Sequence, residues 1–177
     1  MVPVMQHYAI HILPVKALED FDCELAKPES ALISCVGTRV WVDVRTVPHR
    51  LILEFADTTD MHRPGAFSRT QAEEIARFAR GLPNSVTDVF VCCSEGESRS
   101  PAVAAALLRA SGRSDRGVLL NPYYHPNALV YRLLCRALGI FMPRPLLWLK
   151  QRRSLRAFRR AQQKGNTGGY ERWQILF

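Results

Sequence analysis

Cys93 and Arg99 are separated by five residues in the segment Val89-Phe90-Val91-Cys92-Cys93-Ser94-Glu95-Gly96-Glu97-Ser98-Arg99-Ser100-Pro101. An apolar run with the composition of a buried strand precedes Cys93, and a stretch rich in alanine and leucine follows Arg99. Pro101 suits the first turn of a helix, and Gly96 in mid-loop lets the backbone curl. A loop that curls into a helix N-terminus aims several N–H groups at one point, which makes an anion site. The same positive field favours a thiolate at Cys93. Arg99 can hold two phosphate oxygens with its planar fork. A thiolate beneath a bound phosphate ester is placed for in-line attack on phosphorus. The loop residues Ser94, Glu95, Gly96, Glu97 and Ser98 would cradle the phosphate, and their amides, with Arg99, would stabilise charge on its equatorial oxygens. Ser100 can donate a hydrogen bond to Cys93 and ease its departure when water cleaves a phosphocysteine intermediate.

This segment resembles the signature loop of the protein tyrosine phosphatase superfamily, H-C-x-x-G-x-x-R-[ST]. Its mid-chain position is similar to that in the small dual-specificity phosphatases and their bacterial relatives. The resemblance implies Cys93 as nucleophile, Arg99 as phosphate ligand and Ser100 as the assisting hydroxyl. It also implies a parallel-centred sheet flanked by helices, a phosphorylated protein or peptide as substrate, and no metal or other cofactor. The family's general acid is an aspartate on a loop that follows a strand upstream of the cysteine. Here Ala56-Asp57-Thr58-Thr59-Asp60 follows the apolar run Leu51–Phe55, so both Asp57 and Asp60 are candidates. Asp57 is preferred because its Ala-Asp-Thr setting resembles the family's Asn-Asp-Thr type of segment. Its role would be to protonate the leaving oxygen and then activate water.

Two positions depart from the family pattern. Cys92 stands where the family has a histidine, and Glu97 adds a negative charge beside Glu95. Those carboxylates would weaken binding of a dianion unless they point outward. Cys92 reads as a small buried residue ending a strand, since a bridge between adjacent cysteines is strained. Cys35 would be an alternative redox partner for Cys93 if its strand neighbours the loop. The departures leave a second reading, a pseudophosphatase-like module that binds phosphate without turnover.

The elements that must position these residues alternate strand with helix, which indicates an α/β domain with a mainly parallel sheet. Runs at His7–Leu13, Ala31–Gly37, Arg39–Val44, Arg50–Phe55 and Asp88–Cys92 read as strands. Pro14–Phe21 reads as a short helix. Thr70 and Glu73 have capping-box spacing at the head of a helix that Gly81 ends. Ser100–Ser111 and Pro126–Leu138 read as helices closed by Gly112 and Gly139. Asn121–Asn127 reads as a loop leading into a helix, with Tyr123, Tyr124 or His125 as the alternative lining of a substrate mouth. Residues 1–141 are expected to form the catalytic domain. Residues 142–177 are expected to form a basic C-terminal helix, Pro145–Lys164, and a tail with a break at Gly165–Gly169.

Hydrophobic residues make up 47% of the 177, enough for one core. No apolar run is long enough to span a bilayer and no secretory signal is visible, so a cytoplasmic protein is expected. The five cysteines, Cys23, Cys35, Cys92, Cys93 and Cys135, have no disulfide-framework or zinc spacing, so reduced thiols are expected. Residues 1–100 hold 10 Lys+Arg against 14 Asp+Glu, a net −4, while residues 101–177 hold 14 against 2, a net +12. The basic tail, with Trp148, Leu155 and Phe158 packing on the domain and its arginines snorkelling into water, is one expectation. An anionic membrane surface or nucleic acid at that tail, including an RNA 5′-end phosphatase, is the other. Glu95 and Glu97, and the absence of lysine from the loop, count against polyphosphorylated lipid head groups.

Overall fold

In β4 (Asp88–Cys93), Val89, Val91 and Cys93 belong to one apolar cluster and Phe90 and Cys92 to another, because successive side chains of a strand alternate between faces. This strand is central. The computed structural model describes residues 6–37, 44–164 and 175–176. It pairs β4 in parallel with β1 (Ala9–Pro14) and with β2 (Ser30–Ser34). Strand β3 (His49–Ile52) lies parallel outside β2, and the two-residue β5 (Ile175–Leu176) runs antiparallel beside β1. The order is β3-β2-β4-β1-β5, a parallel four-stranded sheet with a short antiparallel edge. Flanked by helices, it is the α/β architecture expected from the sequence.

One face carries the larger cluster. Helices α2 (Arg69–Gly81), α3 (Arg99–Ala110) and α5 (Ala128–Ala137) pack together there, and α3 lies on β1 and β4. Ile10, Ile12 and Ile33 of the sheet meet Ile75, Val103, Leu107 and Leu134 of the helices. Each such side chain, fully buried, stabilises the fold by about 1.5–3 kcal/mol. The other face is covered more thinly, by α1 (Asp22–Leu25) and the turns before it, over Leu13, Leu32 and Phe90. The remaining helices are the single turn α4 (Arg116–Leu119) and the long α6 (Arg144–Gln163).

Helix α6 is tied down by charge. Asp115, only 2% exposed, accepts hydrogen bonds from Lys150 Nζ and Tyr131 Oη, both at 2.5 Å, and Arg109 Nη1 lies 3.9 Å from its other oxygen. A carboxylate this buried is tolerated only when it is paired. The arrangement therefore fixes the first half of α6 against α3, α4 and α5. Among the described residues, no helix is long and apolar enough to cross a membrane.

Several boundaries differ from the sequence reading. The cap of α2 is Ser68, not Thr70: Gln71 N donates to Ser68 Oγ, and Ser68 N donates to Gln71 Oε1. Both pairs have the required spacing. The Ser68 start also lets Gln71 Nε2 donate to Glu54 O and seats Phe67 against Phe55. The helix ends because Leu82, which precedes Pro83, is extended, rather than through a special conformation of Gly81. Pro14 ends β1, and the expected helix after it is two 3-10 turns followed by α1. Helix α5 begins at Ala128 with Asn127 as its cap. The strand expected at Arg39–Val44 lies outside the described residues except for Val44, which opens a 3-10 turn. The break at Gly165–Gly169 also lies outside them.

Candidate active site

Cys93 is the last residue of β4, and Arg99 is the first of α3. Residues 94–98 turn between them over the end of β1. Gly96 has φ 70°, and a Cβ there would lie 2.8 Å from Pro14 N and 3.0 Å from Leu13 C. Only glycine meets both demands, and the contact holds the loop against the sheet. Gly96→Ala is expected to destabilise the fold by about 2–4 kcal/mol, combining a left-handed backbone cost with overpacking against backbone atoms. Urea denaturation measures this.

Within the loop, Cys93 Sγ and Ser100 Oγ are 3.1 Å apart, and both side chains are buried. Arg99 reaches across the sheet's C-terminal edge. Its Nη1 donates to Phe55 O at 2.9 Å and Cys35 O at 3.1 Å, and its Nη2 donates to Ser94 Oγ at 2.7 Å. Its Nε is buried and has no hydrogen-bond partner. Nε and Nη2 form one edge of the guanidinium, the edge that grips an anion by two parallel bonds. A buried donor left unpaired is costly, so an anion at this edge would be doubly favoured. Glu95 and Glu97 are exposed. Partial burial, and then the charge of Glu95, raise the Glu97 carboxyl above the ordinary carboxylate range.

Asp57 is brought to this loop. Its Oδ1 accepts from Ser98 Oγ and from Asn127 Nδ2, each at 2.8 Å, and its Oδ2 lies 3.9 Å from Arg99 Nε. Asn127 acts in two directions. Its Oδ1 accepts from Leu129 N and Val130 N at the head of α5, which leaves its amide nitrogen to face Asp57 and Thr58 O. Two backbone bonds, His125 N to Glu97 O and Asn127 N to Ser98 O, hook this segment onto the loop. Asp60 takes a different part. It is exposed, and its carboxylate accepts from His62 N, as a turn aspartate does.

No family model matches the sequence, and no curated protein matches it. Among solved structures, the chain is similar to the crystal structure of Tk-PTP in the active form. The two are 19% identical, the alignment covers 90% of this chain and 99% of that one, and the TM-score is 0.43.

The cysteines divide by face. Cys92 sits with Leu13 and Phe90 on the thin face, and its thiol is pushed up to about 12, chiefly by burial. It points away from Cys93. Cys35 follows β2 on the same face as Cys93, and its N–H donates to Cys92 O. Burial, and next the neighbouring thiols Cys93 and Cys92, push its own thiol well up. All five cysteines are free. Among the described residues, no cluster of three or more His, Cys, Asp or Glu side chains could hold a metal ion.

Two depressions flank the loop. One, of about 640 Å³, is bounded by Arg99, Ser94, Phe55 and Ala56. The other, of about 770 Å³, runs from Asp57 and Ser98 past His125 to Trp148 and Phe158 of α6. In the sequence, Asn127 stands out only as part of a capping loop. Its side chain's reach to Asp57, 70 positions away, left no trace in local pattern. The carbonyls of Cys35 and Phe55 that hold Arg99 were equally invisible, since any residue type supplies one.

Proposed function

We propose that this chain is a cysteine-dependent phosphate monoester hydrolase of the protein-tyrosine or dual-specificity type, working through a phosphocysteine intermediate. The supporting observation is that Asp57, held by Ser98 and Asn127, faces the same loop that carries Cys93 and the buried Nε of Arg99, which has no hydrogen-bond partner. A carboxylate, a thiol and a guanidinium edge are thus gathered around one loop.

In this reading the phosphate sits over Cys93, gripped by Nε and Nη2 of Arg99 and by the amides of residues 94–98. The Cys93 thiolate attacks phosphorus in line; the S–P bond forms as the ester P–O bond breaks, and Asp57 gives its proton to the departing oxygen. Water then attacks the phosphocysteine. Asp57 takes the proton from that water, the S–P bond breaks, and Cys93 leaves as a thiolate steadied by Ser100. The two steps use only these side chains and water. The substrate is a phosphorylated protein or peptide, with phosphotyrosine the best match.

Hydrolysis of a small aryl phosphate and of a phosphotyrosine peptide, with chelator present, tests this reading. Turnover of both is expected. Tight binding of the phosphopeptide without turnover would make the chain a phosphate-binding module instead. Turnover confined to RNA 5′ ends would replace the protein substrate.

A further inference from the structure

Apart from Asp57 and Ser98 at its edge, the groove between the candidate active site and helix α6 has no part in the chemistry above. It starts at Asp57 and Ser98, which touch each other, and ends against one face of α6. Trp148, expected to pack on the domain, is instead 56% exposed. The Arg152 guanidinium lies 4.5 Å from the centre of the Trp148 ring, which holds the cation in place by its π-face. No carboxylate pairs with Arg152 among the described residues, and the sequence has no acid between Asp115 and Glu171. Opposite, His125 stacks on Phe158 at 5.6 Å. The hydroxyl of Ser154, 3% exposed, belongs to the groove wall and has no hydrogen-bond partner.

We infer that this groove binds the peptide flank of the substrate and selects an acidic residue beside the phosphorylated one. This rests on the hydrolase reading for the position of the phosphate. The groove carries carboxylates, Asp57 and Glu97, where it borders the loop, and the Arg152 cation on its α6 wall. A continuous polyanion would meet repulsion at the first of these. A peptide with its phosphate in the loop and a neighbouring carboxylate turned toward α6 matches both. The ring of Trp148 and the side chains of Leu155 and Phe158 offer apolar contact for the peptide's flanking side chains. Neutral donors and acceptors on Gln151, Ser154 and Thr58 suit a peptide backbone, which needs both. The anchoring of α6 through Lys150 and Asp115 keeps this wall fixed, so little ordering is needed on binding.

The test uses the full chain and two phosphotyrosine peptides of equal length, one with glutamate and one with glutamine beside the phosphotyrosine, plus a small aryl phosphate. Wild type is expected to favour the acidic peptide in kcat/KM by about tenfold, the scale of one well-placed charge contact. Arg152→Gln should erase that preference. Trp148→Ala should lower the ratio of peptide to aryl phosphate kcat/KM by about tenfold for both peptides. Equal kcat/KM for the two peptides in wild type, or a preference untouched by Arg152→Gln, overturns the inference. Should wild type hydrolyse nothing, calorimetric binding of the same peptides still decides. An Arg152-dependent preference for the acidic peptide supports the groove after the hydrolase reading has failed; no preference overturns it. Arg152-dependent binding of anionic vesicles or of RNA, with no discrimination between the peptides, also overturns it.

Discussion

Cys93→Ser is expected to abolish phosphate ester hydrolysis while leaving the fold and phosphopeptide binding in place. The two side chains are nearly the same size. Cys93 is 2% exposed at the end of the central strand, and a serine there could still exchange a hydrogen bond with Ser100. The loop amides and Arg99, which would hold the phosphate, are untouched. What is lost is a thiolate: a serine hydroxyl has no base beside it in this loop, and an unassisted alcohol is a weak nucleophile. The fall in kcat should be at least about 10⁴-fold, the order seen when a covalent nucleophile is removed from a hydrolase. Matching denaturation midpoints and retained phosphopeptide affinity, beside that loss, would assign the effect to chemistry. A variant that keeps more than a few per cent of activity would require a different nucleophile.

Asp57→Asn is expected to lower kcat by about 10²–10⁴-fold, the usual contribution of a positioned general acid. Asparagine keeps an oxygen to accept from Ser98 and Asn127, so the loop should hold its shape. The size of the effect should depend on the leaving group. A phenol that leaves readily as an anion needs little protonation, whereas tyrosine in a peptide needs it. The fall should therefore be much larger for the phosphotyrosine peptide than for a nitrophenyl phosphate. Asp60→Asn, at an exposed turn residue bonded to His62 N, should leave both rates within about twofold, as an exposed surface change does. Equal effects of Asp57→Asn on the two substrates would remove the acid role from Asp57 and leave it a purely structural one.

The loop from Cys93 to Arg99 was legible because its signals are contiguous: a strand, a glycine, a proline-opened helix. The parallel sheet was legible for the same reason, through alternating apolar runs and intervening helices. The start of α2 was misplaced because Ser68 with Gln71 and Thr70 with Glu73 satisfy one spacing rule, and only contacts to the distant Glu54 and Phe55 separate them. Asp57 and Asp60 are both loop aspartates in the sequence, and only the Ala-Asp-Thr setting favours Asp57. They part company through Asn127, a cap whose second bond joins positions 70 apart. The side that Cys92 faces is also written in the sequence. Strand alternation alone puts it on the face opposite Cys93, out of reach of any bridge. The groove along α6 was not legible, because Trp148 looked like a packing residue. Its exposure follows from how Lys150 and Asp115 turn the helix, a contact between distant segments.

The central claim is that phosphate passes through Cys93. Rapid acid quench of the wild-type chain during turnover of a phosphotyrosine peptide, followed by mass spectrometry of the digested protein, tests it most directly. A phosphoryl group on the peptide that contains Cys93, absent in Cys93→Ser and more abundant when Ser100→Ala slows its hydrolysis, is the predicted result. Turnover with no phosphoryl group on Cys93, or with one on another residue, would contradict the account.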